Sequence, residues 1–72
     1  MDSEIHIGKL IKDVMDKQGR KSSWLAEQLN CSRVNIYKIF ERKSIDTEQL
    51  RQISKALNTD FFKLYSNELT EL

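Results

Sequence analysis

Residues 22–40 read SSWLAEQLNCSRVNIYKIF, and this stretch decides the fold. Two short amphipathic segments are joined by only three residues, Asn30 to Ser32. A link that short makes two helices cross steeply instead of lying antiparallel. Ala26 is small enough for a close crossing, and Asn30 tolerates the left-handed backbone of a tight turn. The stretch therefore predicts a helix-turn-helix unit. The apolar side chains expected on its inner side are Leu25, Leu29, Cys31, Ile36 and Ile39.

Apolar residues at three- and four-residue steps predict helices on both sides of this unit. The first helix is expected at about residues 5–18, ended by Gly19, with the two motif helices at about 22–29 and 33–42. Ser22 or Ser23 would cap the first motif helix and Ser32 the second. The fourth helix is expected at about 47–57, behind a capping-box pattern of Asp46 and Gln49, and Asp60 would cap a short fifth. The fold class predicted is all-α, a compact bundle of five short helices.

The domain organisation follows from length and composition. The 72 residues contain no proline and only two glycines. A chain this short supports one small core and offers little room to enclose a substrate. We expect a helix-turn-helix domain over residues 1–66 and a tail over 67–72, either frayed or at a dimer interface.

Several function classes are disfavoured by what the sequence lacks. It has no apolar run of the roughly 20 residues that a membrane span needs, and it begins without a signal-peptide pattern. The single cysteine, Cys31, and the single histidine, His6, make neither a disulfide nor a typical zinc site. No catalytic constellation is recognisable. We therefore expect a cytoplasmic protein that is not an enzyme and uses no metal or cofactor, with Cys31 a small buried hydrophobe, His6 a surface residue and Trp24 a core-edge aromatic.

The charge distribution is more informative than the net charge of +1. Residues 1–8 carry two acidic side chains and no basic ones. Residues 9–43 carry nine basic and four acidic side chains, whereas residues 44–72 carry three basic and five acidic. A basic middle between acidic ends is consistent with one face that binds a polyanion.

The sequence resembles the DNA-binding domain of the Cro/lambda-repressor-like family, often called XRE-type regulators, over about residues 5–64. Leu25-Ala26 resembles the family's Leu-Ala pair, and Leu29-Asn30-Cys31-Ser32 resembles its Leu-Gly-Val-Ser turn. Ile36 and Ile39 match the buried positions of the second motif helix, and residues 53–58 resemble the fourth helix and its stop. The sequence departs from the pattern at three positions. Asn30 replaces the usual glycine, Ser22 stands where a glutamine that contacts the DNA backbone is common, and Phe40 stands where glutamate is common.

The resemblance implies a recognition helix that reads the major groove with the residues on its outer face. At 100° per residue, that face is opposite Ile36, Ile39 and Phe40. Arg33 is suited to guanine, and Val34 to a thymine methyl. The residues expected to read bases are Arg33, Val34, Asn35, Tyr37 and Lys38, Tyr37 also being placed to meet a phosphate or sugar. The residues expected to contact phosphates are Lys21, Ser22, Ser23, Ser32, Arg42, Lys43 and Ser44.

The function predicted is sequence-specific binding of double-stranded DNA by a small bacterial or phage transcriptional regulator, repressor-like in type. The resemblance implies a homodimer on DNA, and the fourth and fifth helices with Leu69 and Leu72 are the expected interface. Neither a membrane nor a small-molecule ligand is expected. Two alternatives stay open, each with a protein partner: an antitoxin-type autorepressor that also binds a toxin, and a protein-interaction module that has lost DNA binding.

Overall fold

The computed structural model describes residues 4–70, and within that range the chain is helical with no strand. This confirms the all-α prediction of five short helices. α2 packs against α3 and α4, and α1 packs against α3, so that the helix-turn-helix pair lies between the first and fourth helices. The helices are α1 (Ile7–Gln18), α2 (Ser22–Leu29), α3 (Arg33–Phe40), α4 (Thr47–Ala56) and α5 (Phe62–Glu68).

A single apolar core joins the elements. Helices α1 to α4 each contribute buried side chains at helical spacing, and the turn before α5 contributes Phe61. Leu29, Cys31 and Phe40 are half-buried at the edge of this core, as is Trp24. The inner side predicted for the motif is therefore confirmed at Leu25, Ile36 and Ile39, whereas Leu29 and Cys31, the latter predicted to be buried, are only half-buried. The buried apolar residues are Ile7, Ile11, Met15, Leu25, Ala26, Ile36, Ile39, Leu50, Ile53, Leu57 and Phe61.

Three left-handed residues end helices where the sequence predicts them. Gly19 follows α1 with φ 69°, Asn30 follows α2 with φ 56°, and Asn58 lies just past α4 with φ 51°. The capping prediction for Asp46 also holds, because its carboxylate accepts from the Gln49 amide at 2.7 Å. The prediction for Asp60 is wrong by one residue, since Phe61 is the cap residue of α5, although Asp60 accepts from the Lys63 amide at 3.2 Å.

Several predicted helix ends are wrong. α1 begins at Ile7 instead of residue 5, because the imidazole Nδ1 of His6 accepts from the Lys9 amide at 3.2 Å and caps the helix. His6 is accordingly half-buried and not a plain surface residue. α3 ends at Phe40 and α4 at Ala56, one or two residues early. The expected tail is partly ordered, since α5 runs to Glu68; Leu72 lies outside the described residues.

The early end of α3 has a cause in α1. The amides of Ile7 and Gly8, at the start of α1, donate to the carbonyls of Lys43 and Arg42 at 2.9 and 3.0 Å. These bonds satisfy helix-terminal amides that have no partner within α1. Gly8 is buried against the end of α3, where a Cβ would overlap the carbonyl groups of Ile39 and Phe40. The absence of a side chain at Gly8 thus lets α1 hold the loop that follows α3.

None of the helices in the described part of the chain is long and apolar enough to cross a membrane.

Candidate nucleic-acid interface

The outer face of α3 carries the five residues predicted to read bases. Arg33, Val34, Asn35, Tyr37 and Lys38 are all exposed. Ile36 and Ile39 are buried on the opposite side of the same helix, as the helical spacing predicts. Val34 is 60% exposed and Tyr37 is 51% exposed. The fold therefore presents an α3 face that is part basic and part apolar.

The start of α3 is fixed by its cap. Ser32 Oγ accepts from the Asn35 amide at 3.2 Å, which confirms the predicted cap. A hydroxyl that accepts in this way keeps its own proton available for donation. Ser32 thus remains able to donate to an anion beside the first turn of α3, where Arg33 and Val34 lie.

Most of the cations on or beside the motif form no ion pair with a carboxylate among residues 4–70. On α1, Lys12 and Lys17 pair with Asp16 and Asp13, and on α4 Arg51 pairs with Glu48. No such pair within residues 4–70 engages Lys21, Arg33, Lys38 or Arg42, whereas Lys43, which also lies beside the motif, is paired with Glu4. Lys9, Lys55 and Lys63 are also without an ion pair in that range, but they lie on other helices. The unpaired positive charge around α3 is what a polyanion-binding face requires.

We call residues 20–23 the entry flank, since they precede the motif. A surface groove of about 390 Å³ runs between α1, α2 and α3 at this flank. Its lining includes Lys21, Ser22, Ser23, Arg33 and Tyr37, all predicted DNA contacts, together with Arg20. The structure therefore brings residues from both predicted classes, base-reading and phosphate-contacting, to one groove.

A side-chain hydrogen bond crosses this groove. Ser22 Oγ donates to the Tyr37 hydroxyl at 3.2 Å, joining the start of α2 to the middle of α3. The prediction that Ser22 or Ser23 caps α2 is wrong, because Lys21 is the cap residue and makes no side-chain cap bond. The paired hydroxyls share two protons, and only one of them is used between them. One proton stays available to an acceptor in the groove.

We call residues 42–44 the exit flank, since they follow α3. Arg42, Lys43 and Ser44 are exposed, as expected of phosphate contacts. The Lys43 ammonium, however, is paired with the carboxylate of Glu4. The exit flank therefore holds the second predicted phosphate-binding lysine in an ion pair. At the entry flank Asp16 also lines the groove, but it is paired with Lys12 and not with Lys21.

Sequence reasoning missed both side-chain contacts at these flanks. Ser22 and Tyr37 are 15 residues apart, and Glu4 and Lys43 are 39 apart. Helical periodicity assigns a face to each residue but no partner on another element, so neither contact has a signal in the sequence. Among residues 4–70 there is also no group of His, Cys, Asp or Glu side chains that could hold a metal ion.

Comparison of the chain with protein-family models, with curated proteins and with solved structures found no significant match.

Proposed function

We propose that this chain is a sequence-specific double-stranded DNA-binding protein of the Cro/lambda-repressor-like type, acting as a small transcriptional regulator. The observation that carries the proposal is the outer face of α3. It exposes an arginine and a valine in the first turn and a lysine one turn later, with the helix held by two buried isoleucines on the other side. Nothing in the core requires these side chains.

The dimensions of α3 suit the major groove. An α-helix with its side chains is about 10–12 Å in diameter. The major groove of B-DNA is about 12 Å wide and admits one helix. In helix-turn-helix proteins the N-terminal residues of the recognition helix meet the base edges. Arg33 and Val34 are the residues that α3 would present first.

Each residue of the face has a chemistry that DNA can use. Arg33 would bind guanine O6 and N7 with two parallel hydrogen bonds, and Val34 would contact a thymine methyl. Asn35 offers the amide that pairs with adenine N6 and N7. Lys38, further along the helix, would reach a guanine or a phosphate. Tyr37 belongs with the backbone contacts, because its hydroxyl is already bonded to Ser22 in the entry-flank groove.

The two flanks would bind the DNA phosphates on either side of the major groove. Lys21 and Ser23 from the entry flank and Arg42 from the exit flank are exposed, and neither of the two cations has an ion-pair partner among the described residues. Contacts of this kind fix the position of a protein on the duplex without reading its sequence. They also make binding salt-dependent, through release of counterions from the DNA.

We further propose a homodimer on DNA. One recognition helix reads only a few base pairs, and proteins of this type bind half-sites about one helical turn apart. Phe62 and Leu69 on and just after α5 are 39% and 57% exposed, and they are the apolar side chains available for such a contact. α5 buries no residue of its own in the core, which leaves much of its surface for a partner.

The test is selection from random-sequence duplex DNA with the purified chain at about 150 mM salt, near physiological ionic strength. Enrichment of a motif, with two half-sites about 10 base pairs apart, would support both sequence-specific binding and the dimer. Binding that enriches no sequence and disappears as salt rises would contradict the proposal, because generic electrostatics alone behave this way. A protein-interaction module would bind no duplex at all under these conditions.

A further inference from the structure

The exit flank is fastened to the N-terminal end of α1 and the residues just before it. The Ile7 amide donates to the Lys43 carbonyl at 2.9 Å, and the Gly8 amide donates to the Arg42 carbonyl at 3.0 Å. The same segment brings the Glu4 carboxylate to the Lys43 ammonium. Two backbone hydrogen bonds therefore fix the chain close to Glu4 beside the loop that carries Lys43. The ion pair does not depend only on the attraction of two flexible side chains.

A second carboxylate lies nearby. Lys43 and Ser44 line a surface hollow of about 450 Å³, and Glu4 and Glu68 line it with them. Two of the three exit-flank residues expected to contact phosphate thus share a hollow with two acidic side chains. A phosphate that approaches Lys43 also approaches these two carboxylates, and like charges repel each other.

We infer that Glu4 sets the affinity of the chain for DNA by competing with a backbone phosphate for the Lys43 ammonium. This inference rests on the proposed function. When DNA binds, a phosphate oxygen must take the place of the Glu4 carboxylate or share Lys43 with it. Either outcome leaves a negatively charged carboxylate near the DNA backbone. Glu4 lies outside the base-reading face of α3, so it lowers affinity for every sequence alike and acts through Lys43 as a positioning residue.

The test is the Glu4→Gln variant of the full chain, which removes the charge and keeps the shape. Binding is measured to a duplex of about 20 base pairs, two helical turns, of random sequence and to the duplex enriched by selection. We expect binding to tighten about two- to fivefold on both duplexes, the range that one exposed ion pair controls. The slope of log affinity against log salt should steepen by up to about 0.9, because Lys43 then neutralises a phosphate without leaving a carboxylate behind.

The direction in which DNA affinity changes distinguishes competition by Glu4 from a purely structural role of Glu4. Loss of a surface ion pair leaves the melting temperature unchanged or slightly lower, and a purely structural residue would weaken binding when replaced. Glu48→Gln is the matched control, because Glu48 is also an exposed carboxylate paired with a cation, Arg51, on α4. That control should leave DNA binding unchanged.

A second background tests the dependence on Lys43. In a Lys43→Met chain, Glu4→Gln should no longer tighten binding. An equal gain in both backgrounds would overturn the inference, since it would reflect only the removal of a negative charge near DNA. Unchanged or weaker binding by Glu4→Gln would overturn it as well. If the unaltered chain bound no duplex, the proposed function would fail together with this inference; if it bound and Glu4→Gln did not tighten it, the inference alone would fail.

Discussion

The two flanks of the recognition helix carry similar residue types in different electrostatic surroundings. Lys21, at the entry flank, has no ion-pair partner between residues 4 and 70, and it lines a groove with Arg20 and Arg33. Asp16, the acidic residue of that groove, is paired with Lys12. Lys43, at the exit flank, is paired with Glu4 and shares its hollow with Glu68. The sequence places both lysines in its basic middle region and predicts the same phosphate-contacting role for each. The difference shows that the availability of a charge depends on the partners that the fold brings to it.

The flanks also differ in what holds them. The exit flank is bonded to α1 through two backbone amides, whereas the entry flank is joined to α3 by the Ser22–Tyr37 side-chain bond. Backbone bonds at a helix start are rigid and depend on close approach of the two segments. Loss of the backbone bonds at the exit flank should therefore affect stability first, and loss of the side-chain bond at the entry flank should affect binding first.

Gly8→Ala is expected to have the largest effect on the fold. The added Cβ would overlap the carbonyls of Ile39 and Phe40, which are main-chain groups that cannot move aside cheaply. Forcing atoms into a packed region costs about 1–3 kcal/mol, more than the roughly 1 kcal/mol that alanine contributes over glycine in a helix. The free energy of unfolding, measured by urea denaturation, should fall. Gly19→Ala is the control, since a Cβ added there meets no atom within 4 Å and the alanine would be strained only by the positive φ. A Gly8→Ala chain as stable as the unaltered one would contradict the tight seating of α1 on the exit flank.

Arg33→Ala tests the face that lies between the flanks. Loss of a bidentate contact to guanine should cost about 1–3 kcal/mol on the selected duplex and relax the preference at one base pair. Arg33→Lys is the matched control, because it keeps the charge and loses the planar fork. Fluorescence anisotropy with the selected and random duplexes would compare the variants. Equal losses on both duplexes would assign Arg33 to the backbone instead of to a base.

The fold was largely predictable from this sequence, and the side-chain partners were not. The positive φ of Asn30 and the burial of Ile36 and Ile39 follow from local spacing and turn chemistry, which act within a few residues. The cap provided by His6 and the overlap avoided by Gly8 depend on where α1 meets the end of α3. Such contacts join positions distant in sequence and have no periodic signal. Helical spacing predicts which residues of α3 are exposed, but it does not predict the hydrogen bond between Ser22 and Tyr37.

Tyr37→Phe and Ser22→Ala test the hydroxyl pair of the entry flank. Each substitution removes one partner of the 3.2 Å bond, and each should weaken binding to all sequences by about 0.5–1.5 kcal/mol. The double variant should lose less than the two single losses combined, because the hydroxyls act as one unit. Binding to selected and random duplexes gives the double-mutant cycle. Strictly additive losses, or a change in the preferred base, would show that Tyr37 does not act with Ser22 on the DNA backbone.

The smallest expected effect is on the salt dependence of DNA binding, and it compares the two flanks most directly. Lys21→Met removes a cation without an ion-pair partner among the described residues, so the slope of log affinity against log salt should flatten by about 0.9. Lys43→Met removes a cation that Glu4 already neutralises in part, so its slope should change less. The two substitutions are chemically identical and both residues are exposed, so each serves as the control for the other. Equal changes in the salt slope would mean that phosphate displaces the Glu4 carboxylate from Lys43 with no loss of binding free energy. The electrostatic difference between the two flanks would then not affect DNA binding.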